Sequence, residues 1–169
     1  MSKSRIFITI GLPASGKTTI AKMLRDVHRT FDLNLDTLRG IVSGDESNQA
    51  ATSEALRLRD LLLASLIQND IDIVISDTNV VAEHLTSLIE NILSLGVDHK
   101  NVILIEMTTS YDECLHRNAS RDRVVPEDVM KRMRNHLSAN AYTAIHSSWK
   151  AKEYGIEVVS SDFVERVMV

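Results

Sequence analysis

The strongest chemical signal in the chain is Gly11-Leu12-Pro13-Ala14-Ser15-Gly16-Lys17-Thr18, which satisfies G-x-x-x-x-G-K-[ST] at every fixed position. Glycines at both ends let consecutive backbone N–H groups close around phosphate oxygens at the start of a helix, where the helix dipole favours negative charge. Lys17 adds charge against the β and γ phosphates of ATP, and Thr18 offers its hydroxyl to Mg²⁺. Gly11, Pro13, Ala14, Ser15, Gly16 and Thr19 complete the expected cradle. The bland alternative is a glycine turn followed by a solvated lysine.

Further reactive types recur at the ends of apolar runs. Asp36 and Arg39 stand three residues apart, so on a nascent helix they face the same way. The carboxylate can take a proton from an attacking hydroxyl, and the guanidinium can hold a substrate phosphate. Alternatively, Asp36 caps a helix and Arg39 is its surface partner. Asp77 follows a third apolar run, in Ser76-Asp77-Thr78-Asn79, where an acid commonly orients Mg²⁺ or its waters; it could also simply cap the next helix. Arg117 and Arg121, spaced as neighbours on a helix face, repel unless an anion lies between them, and so read as triphosphate clamps. Here the alternative is a solvated basic helix end balanced by Asp122, Glu127 and Asp128. Pro126 then opens a new helix and leaves 122–125 as the hinge of a small lid. Lys131, Arg132 and Arg134 could track an acidic substrate, although such a run is more often a solvated helix face; Cys114 reads as a packing residue, and His28, His84, His99, His116, His136 and His146 show no metal-ligand spacing.

The elements that must position these groups follow from periodicity. Nearly continuous apolar runs at 5–10, 31–35, 71–76, 101–107 and 155–160 predict strands buried on both faces. Helical spacing predicts helices at 18–28, 48–68, 80–94, 110–119 and 126–149. This alternation predicts an α/β fold: a parallel sheet of about five strands with helices on both faces and ligands at the carboxyl ends of the strands.

Composition narrows the function. The 169 residues suit one domain, and 19 Lys and Arg against 23 Asp and Glu give a net charge of −4. A chain coated in positive charge for non-specific nucleic-acid binding is excluded, so any basic site is local. Aromatic residues, at 4%, are too few for stacking platforms along a single strand. The single cysteine precludes an intramolecular disulfide or a cysteine zinc cluster and suits a reducing, cytoplasmic compartment. No apolar run is long enough for a membrane helix, so no membrane partner is expected. Composition is silent on the oligomeric state.

Four blocks, in order, resemble the 5′-kinase domain of phage polynucleotide kinase: residues 11–18, D-x-x-R at 36–39, I-S-D-T-N at 75–79, and R-N-x-x-R followed by V-P at 117–126. The resemblance reaches about residue 140 and implies one P-loop kinase domain over 1–169, with a helical lid at about 117–135. It implies that Asp36 is the general base and Arg39 the ligand of the phosphate beside the acceptor nucleoside. Lys17, Thr18 and Mg²⁺ would hold ATP, Arg121 would stabilise the transferring phosphoryl, and Arg117 and Asp77 would support them. Asp77, Thr78 and Asn79 fall on the acceptor side, with Thr18 and Asp77 as metal ligands. No D-x-D-G-T motif occurs, so no 3′-phosphatase chemistry is carried over, and 121–126 is slightly shorter than in the family. The implied partner is a nucleic-acid or nucleotide acceptor, most readily a polynucleotide 5′-hydroxyl. The alternatives are a hydroxymethylated base in DNA, a nucleoside or another small alcohol, or a non-catalytic nucleotide switch.

Overall fold

A computed structural model describes residues 2–138 and 155–165. Five parallel strands form one sheet in the order β2-β3-β1-β4-β5: β1 (Ile6–Ile10), β2 (Phe31–Asp32), β3 (Ile73–Ile75), β4 (Val102–Glu106) and β5 (Glu157–Ser160). β1 is central and fully buried, as its unbroken Ile-Phe-Ile-Thr-Ile run requires when helices cover both faces. One face packs Ile6, Ile8 and Ile10 against α2 (Leu35–Ser43), α3 (Thr52–Gln68) and α4 (Ala82–Ser94). The other sets Phe7, Val74 and Ile105 against Ile20, Ala21 and Leu24 of α1 (Lys17–His28). Because consecutive side chains of a strand point to opposite faces, one short strand serves both layers.

α5 (Tyr111–Ala119) and α6 (Glu127–Ser138) make a third, smaller cluster, in which Cys114 and Met130 close on Leu12 of the phosphate loop. The expected lid is thus tied to the loop by an apolar contact, and buried Cys114 packs there.

Several boundaries differ from the sequence expectation. The second strand stops at Asp32 because Asn34 leaves the ladder and caps α2, its side chain accepting from the Thr37 amide at 3.2 Å. The nascent helix expected around Asp36 and Arg39 runs as α2 from Leu35 to Ser43. Asp36 lies within its first turn, so the cap is Asn34. The helix expected at 48–68 opens with a 3₁₀ turn, Gln49–Ala51. Of the helix expected at 126–149, α6 accounts for Glu127–Ser138; the remainder, with His146, lies outside the described residues, as does part of the 1–169 unit.

Candidate active site

The phosphate loop is braced from three sides. Thr9 Oγ1 donates to the Asp77 carbonyl at 3.0 Å, Asn79 Nδ2 donates to the Thr9 carbonyl at 2.9 Å, and the Gly11 amide donates to the Thr78 carbonyl at 3.0 Å. Asn79 makes this stitch from a left-handed conformation, φ 46°, which Asn tolerates better than most side chains. Thr109 Oγ1, beyond β4, donates to the Ser15 carbonyl at 2.9 Å. Gly11 is required by space: a Cβ there would lie 2.6 Å from Met107 Cγ and 2.9 Å from Ser15 Oγ. Gly16 caps α1 at φ 99° and turns the chain so that Lys17, Thr18 and Thr19 open the helix. Thr18 and Thr19 are exposed at its mouth, whereas Lys17 is buried with Nζ donating to the carbonyls of Gly11 at 3.2 Å and Leu12 at 2.6 Å. Burial lowers the Lys17 ammonium to about 8; Cys114, Asp77 and Asp36 counteract that effect, whereas Arg121 reinforces it. The fold therefore gathers Lys17, Arg121, Asp77 and Asp36 into one electrostatic neighbourhood.

Just past the end of β3, Asp77 has two different oxygens. Oδ1 accepts the Leu35 amide at 2.9 Å, whereas Oδ2 is sealed from solvent and has no hydrogen-bond partner. Burial pushes Asp77 up to about 6, against the pull of the Leu35 amide and the charges of Arg59 and Arg39. Asn34 Nδ2 also donates to Ser76 Oγ at 3.2 Å, and Ser76 Oγ donates to Asp32 at 2.7 Å, which fixes the start of α2 against the end of β3. Asp36 and Arg39 face each other as their spacing requires, Arg39 Nη2 donating to Asp36 Oδ1. Arg39 Nε donates to the Glu46 carbonyl at 3.1 Å, and the arginine is buried whereas Asp36 is half-exposed. Arg123 Nη1 lies 3.7 Å from Asp36 Oδ2, so guanidinium groups flank both oxygens of this carboxylate.

The lid departs from its helical expectation. Arg117 ends on α5 and pairs with Glu113 at 2.7 Å, but α5 stops at Ala119, so Arg121 lies past the helix and the two arginines do not share its face. The cause is buried Asn118. Its Nδ2 donates to the Val125 carbonyl at 2.8 Å and its Oδ1 accepts the Val125 amide at 3.0 Å, which closes 119–124 into a loop instead of another helical turn. Arg132 pairs with Asp128 at 3.4 Å, and the Arg134 guanidinium lies 4.6 Å from the centre of the Tyr111 ring. Neither points to an acidic ligand.

Asn118, Arg123, Arg59 and Thr109 received no role from sequence. Asn118 and Arg123 were visible inside the arginine-rich block, but their contacts span seven and eighty-seven residues, and for Arg59 and Thr109 no local pattern exists.

An unpartnered buried carboxylate oxygen on Asp77, with the exposed Thr18 hydroxyl, fits the hard-oxygen chemistry of Mg²⁺, which takes one or two carboxylates plus substrate phosphates. Among the described residues no three His, Cys, Asp or Glu side chains are grouped to hold a metal, and no helix is long and apolar enough to cross a membrane.

Residues 6–139 match a protein family described as an AAA domain. No curated protein matches the chain. Among solved structures, a candidate kinase from Chloroflexus aurantiacus J-10-fl superposes with TM-score 0.66 at 17% identity, covering 98% of this chain and 92% of that one. The Pnkp1/Rnl/Hen1 RNA repair complex gives TM-score 0.67 at 16% identity over 80% of this chain, and a second Pnkp1/Rnl/Hen1 complex gives 0.58 at 17% over 75%. The chain spans 44% and 41% of the lengths of those two neighbours. At these identities the likeness is one of fold: a parallel five-stranded α/β sheet of the P-loop kinase kind.

Proposed function

The chain belongs to this AAA domain family, and from that membership we propose that it is a P-loop phosphotransferase, one kinase unit over 1–169, that moves the γ-phosphoryl of ATP to a hydroxyl of a nucleic acid or nucleotide, foremost a polynucleotide 5′-hydroxyl. The observation that carries this reading is Asp36: a half-exposed carboxylate flanked by Arg39 and Arg123, in the electrostatic neighbourhood of Lys17. A nucleotide switch needs Lys17 but has no use for an acid between two guanidinium groups beside the phosphate loop.

In this reading the loop amides and Lys17 hold the triphosphate, and Arg117 and Arg121 approach from the lid. Mg²⁺, held by Thr18 and Asp77, would offset charge on the phosphate oxygens. Asp36 takes the proton of the acceptor hydroxyl as that oxygen bonds to the γ-phosphorus; the bond from the γ-phosphorus to the β–γ bridging oxygen breaks, and ADP leaves. Arg121 acts on the equatorial oxygens, where charge spreads in the transition state. Arg39 Nη1, left over by the bonds of Nε and Nη2, is the atom that would reach the phosphate beside the attacking hydroxyl, with Thr78 and Asn79 as further acceptor contacts.

The test is a panel of acceptors with γ-labelled ATP: 5′-hydroxyl DNA and RNA, 3′-nucleotides, hydroxymethylated duplex DNA, nucleosides and sugars. Label on the 5′-hydroxyl oligonucleotides supports the reading. Label confined to uncharged alcohols replaces it with a small-molecule kinase, and ATP binding without any transfer replaces it with the switch.

A further inference from the structure

Arg39 is poorly placed to capture an incoming anion unaided. Its side chain is only 8% exposed, Nε is committed to the Glu46 carbonyl, and Nη2 to Asp36. Arg123, on the far side of the same carboxylate, has the opposite properties. It is 47% exposed, and its 3.7 Å approach to Asp36 Oδ2 is an ion pair too long for a hydrogen bond. Such exposed pairs hold their side chains loosely. Arg123 projects from the loop that Asn118 clamps to Val125, so its backbone is anchored while its guanidinium can move. Asp45, in the turn after α2, also feels its charge.

Resting on the kinase reading above, we infer that Arg123 is the arm that captures the acceptor's phosphate, and that without acceptor it restrains the base by ion-pairing with Asp36 Oδ2. With Arg39 hydrogen-bonded to Oδ1 and the Arg123 guanidinium 3.7 Å from Oδ2, a positive group stands beside each oxygen of Asp36. A phosphate adjacent to the attacking hydroxyl offers Arg123 a bidentate anion in place of one distant oxygen. Its transfer to that phosphate frees Oδ2, which then takes the hydroxyl proton. An acceptor phosphate therefore contributes twice, to binding and to drawing Arg123 off the base, and water arriving alone meets a carboxylate still ion-paired on both sides. The arrangement favours an acceptor that carries a phosphate over the matching nucleoside and suppresses futile ATP hydrolysis.

The experiment compares wild type with Arg123→Ala and Arg123→Lys, using adenosine 3′-monophosphate and adenosine as acceptors. Arg123→Ala should raise KM for the monophosphate at least about tenfold, leave KM for adenosine unchanged, and raise acceptor-free ATP hydrolysis severalfold. Arg123→Lys should recover part of the KM, and melting temperatures should agree among the three proteins, since the loop is held by Asn118. An equal KM change for both acceptors, no change, or unaltered hydrolysis overturns the inference. Calorimetric binding of adenosine 3′-monophosphate in the absence of ATP separates the two readings. Arg123-dependent binding without transfer overturns the kinase and leaves the site standing, whereas transfer with Arg123-independent binding overturns only the site.

Discussion

The Leu35 amide donates to Asp77 Oδ1 at 2.9 Å, so the acid at the end of β3 fastens the first turn of the helix that carries Asp36. One carboxylate thereby sets the position of the other. Asp77 Oδ2, by contrast, is sealed and unpartnered.

Asp77→Asn separates these two tasks, because an amide oxygen still accepts from Leu35 while the charge is gone. In the folded chain Asp77 ionises at about 6 instead of 3.8. Between these pH values the native state holds more protons than the unfolded one, so this group's contribution to stability falls as pH rises from about 4 to 6 and is level above. The shift of about two units corresponds to roughly 3 kcal/mol. The unfolding free energy of Asp77→Asn minus that of wild type should therefore increase over that window, while phosphoryl transfer falls at least about tenfold through the lost metal ligand. Parallel stability curves would contradict the buried, strained carboxylate.

Lys17 should couple ATP binding to proton uptake. Burial holds its ammonium near 8, and a triphosphate beside it restores the charge. From about pH 8 upwards wild-type ATP affinity should fall by about tenfold per pH unit, one proton being taken up. The nucleotide-free protein, meanwhile, gains stability from this residue as pH rises from about 8 to 10.5. Lys17→Ala should abolish the coupling and lower turnover at least about a hundredfold. Calorimetry at pH 9 in two buffers of different ionisation heat reads the proton directly; identical heats would refute it.

Asp36→Asn preserves shape and should fold normally, because Asn34 supplies the helix cap. Turnover should drop by about 10² to 10⁴, the usual contribution of a positioned base. Near-normal activity with an intact melting curve would return Asp36 to a surface role.

Arg39→Ala should differ by also costing stability, about 1 to 3 kcal/mol, since it strips the Glu46 carbonyl of a buried donor. KM for a phosphate-bearing acceptor should rise about tenfold. Chemical denaturation and acceptor titration on one preparation test both parts; a variant as stable as wild type would show that the buried network is dispensable.

Gly11→Ala should destroy the phosphate loop, because its Cβ would fall within 2.7 Å of Met107 Cβ, a backbone-anchored atom that cannot give way. ATP affinity should fall at least about tenfold, with about 1 to 3 kcal/mol of overpacking. Gly44→Ala is the control: at φ 76° with nothing near its Cβ, it should cost only about 1 to 2 kcal/mol of backbone strain and leave ATP binding intact. Equal effects of the two substitutions on ATP binding would remove the steric argument.

The phosphate loop and the α/β alternation were legible in sequence because both are local. G-x-x-x-x-G-K-T needs eight consecutive residues, and unbroken runs such as Ile-Phe-Ile-Thr-Ile report burial on both faces without reference to any distant partner. The pairing of Asp36 with Arg39 was likewise fixed by a spacing of three on one helix. Tertiary structure alone decided what lies across from them. Arg123 meets Asp36 from 87 positions away, Asp77 meets Leu35 from 42, and the helical continuation suggested by Arg117 and Arg121 gives way to the Asn118 clamp on Val125. Periodicity encodes which face a side chain occupies within its own element. Which charges converge at the end of a sheet depends on strand order and on where each helix is capped, and these follow from the packing of the whole core, to which no short window of sequence has access.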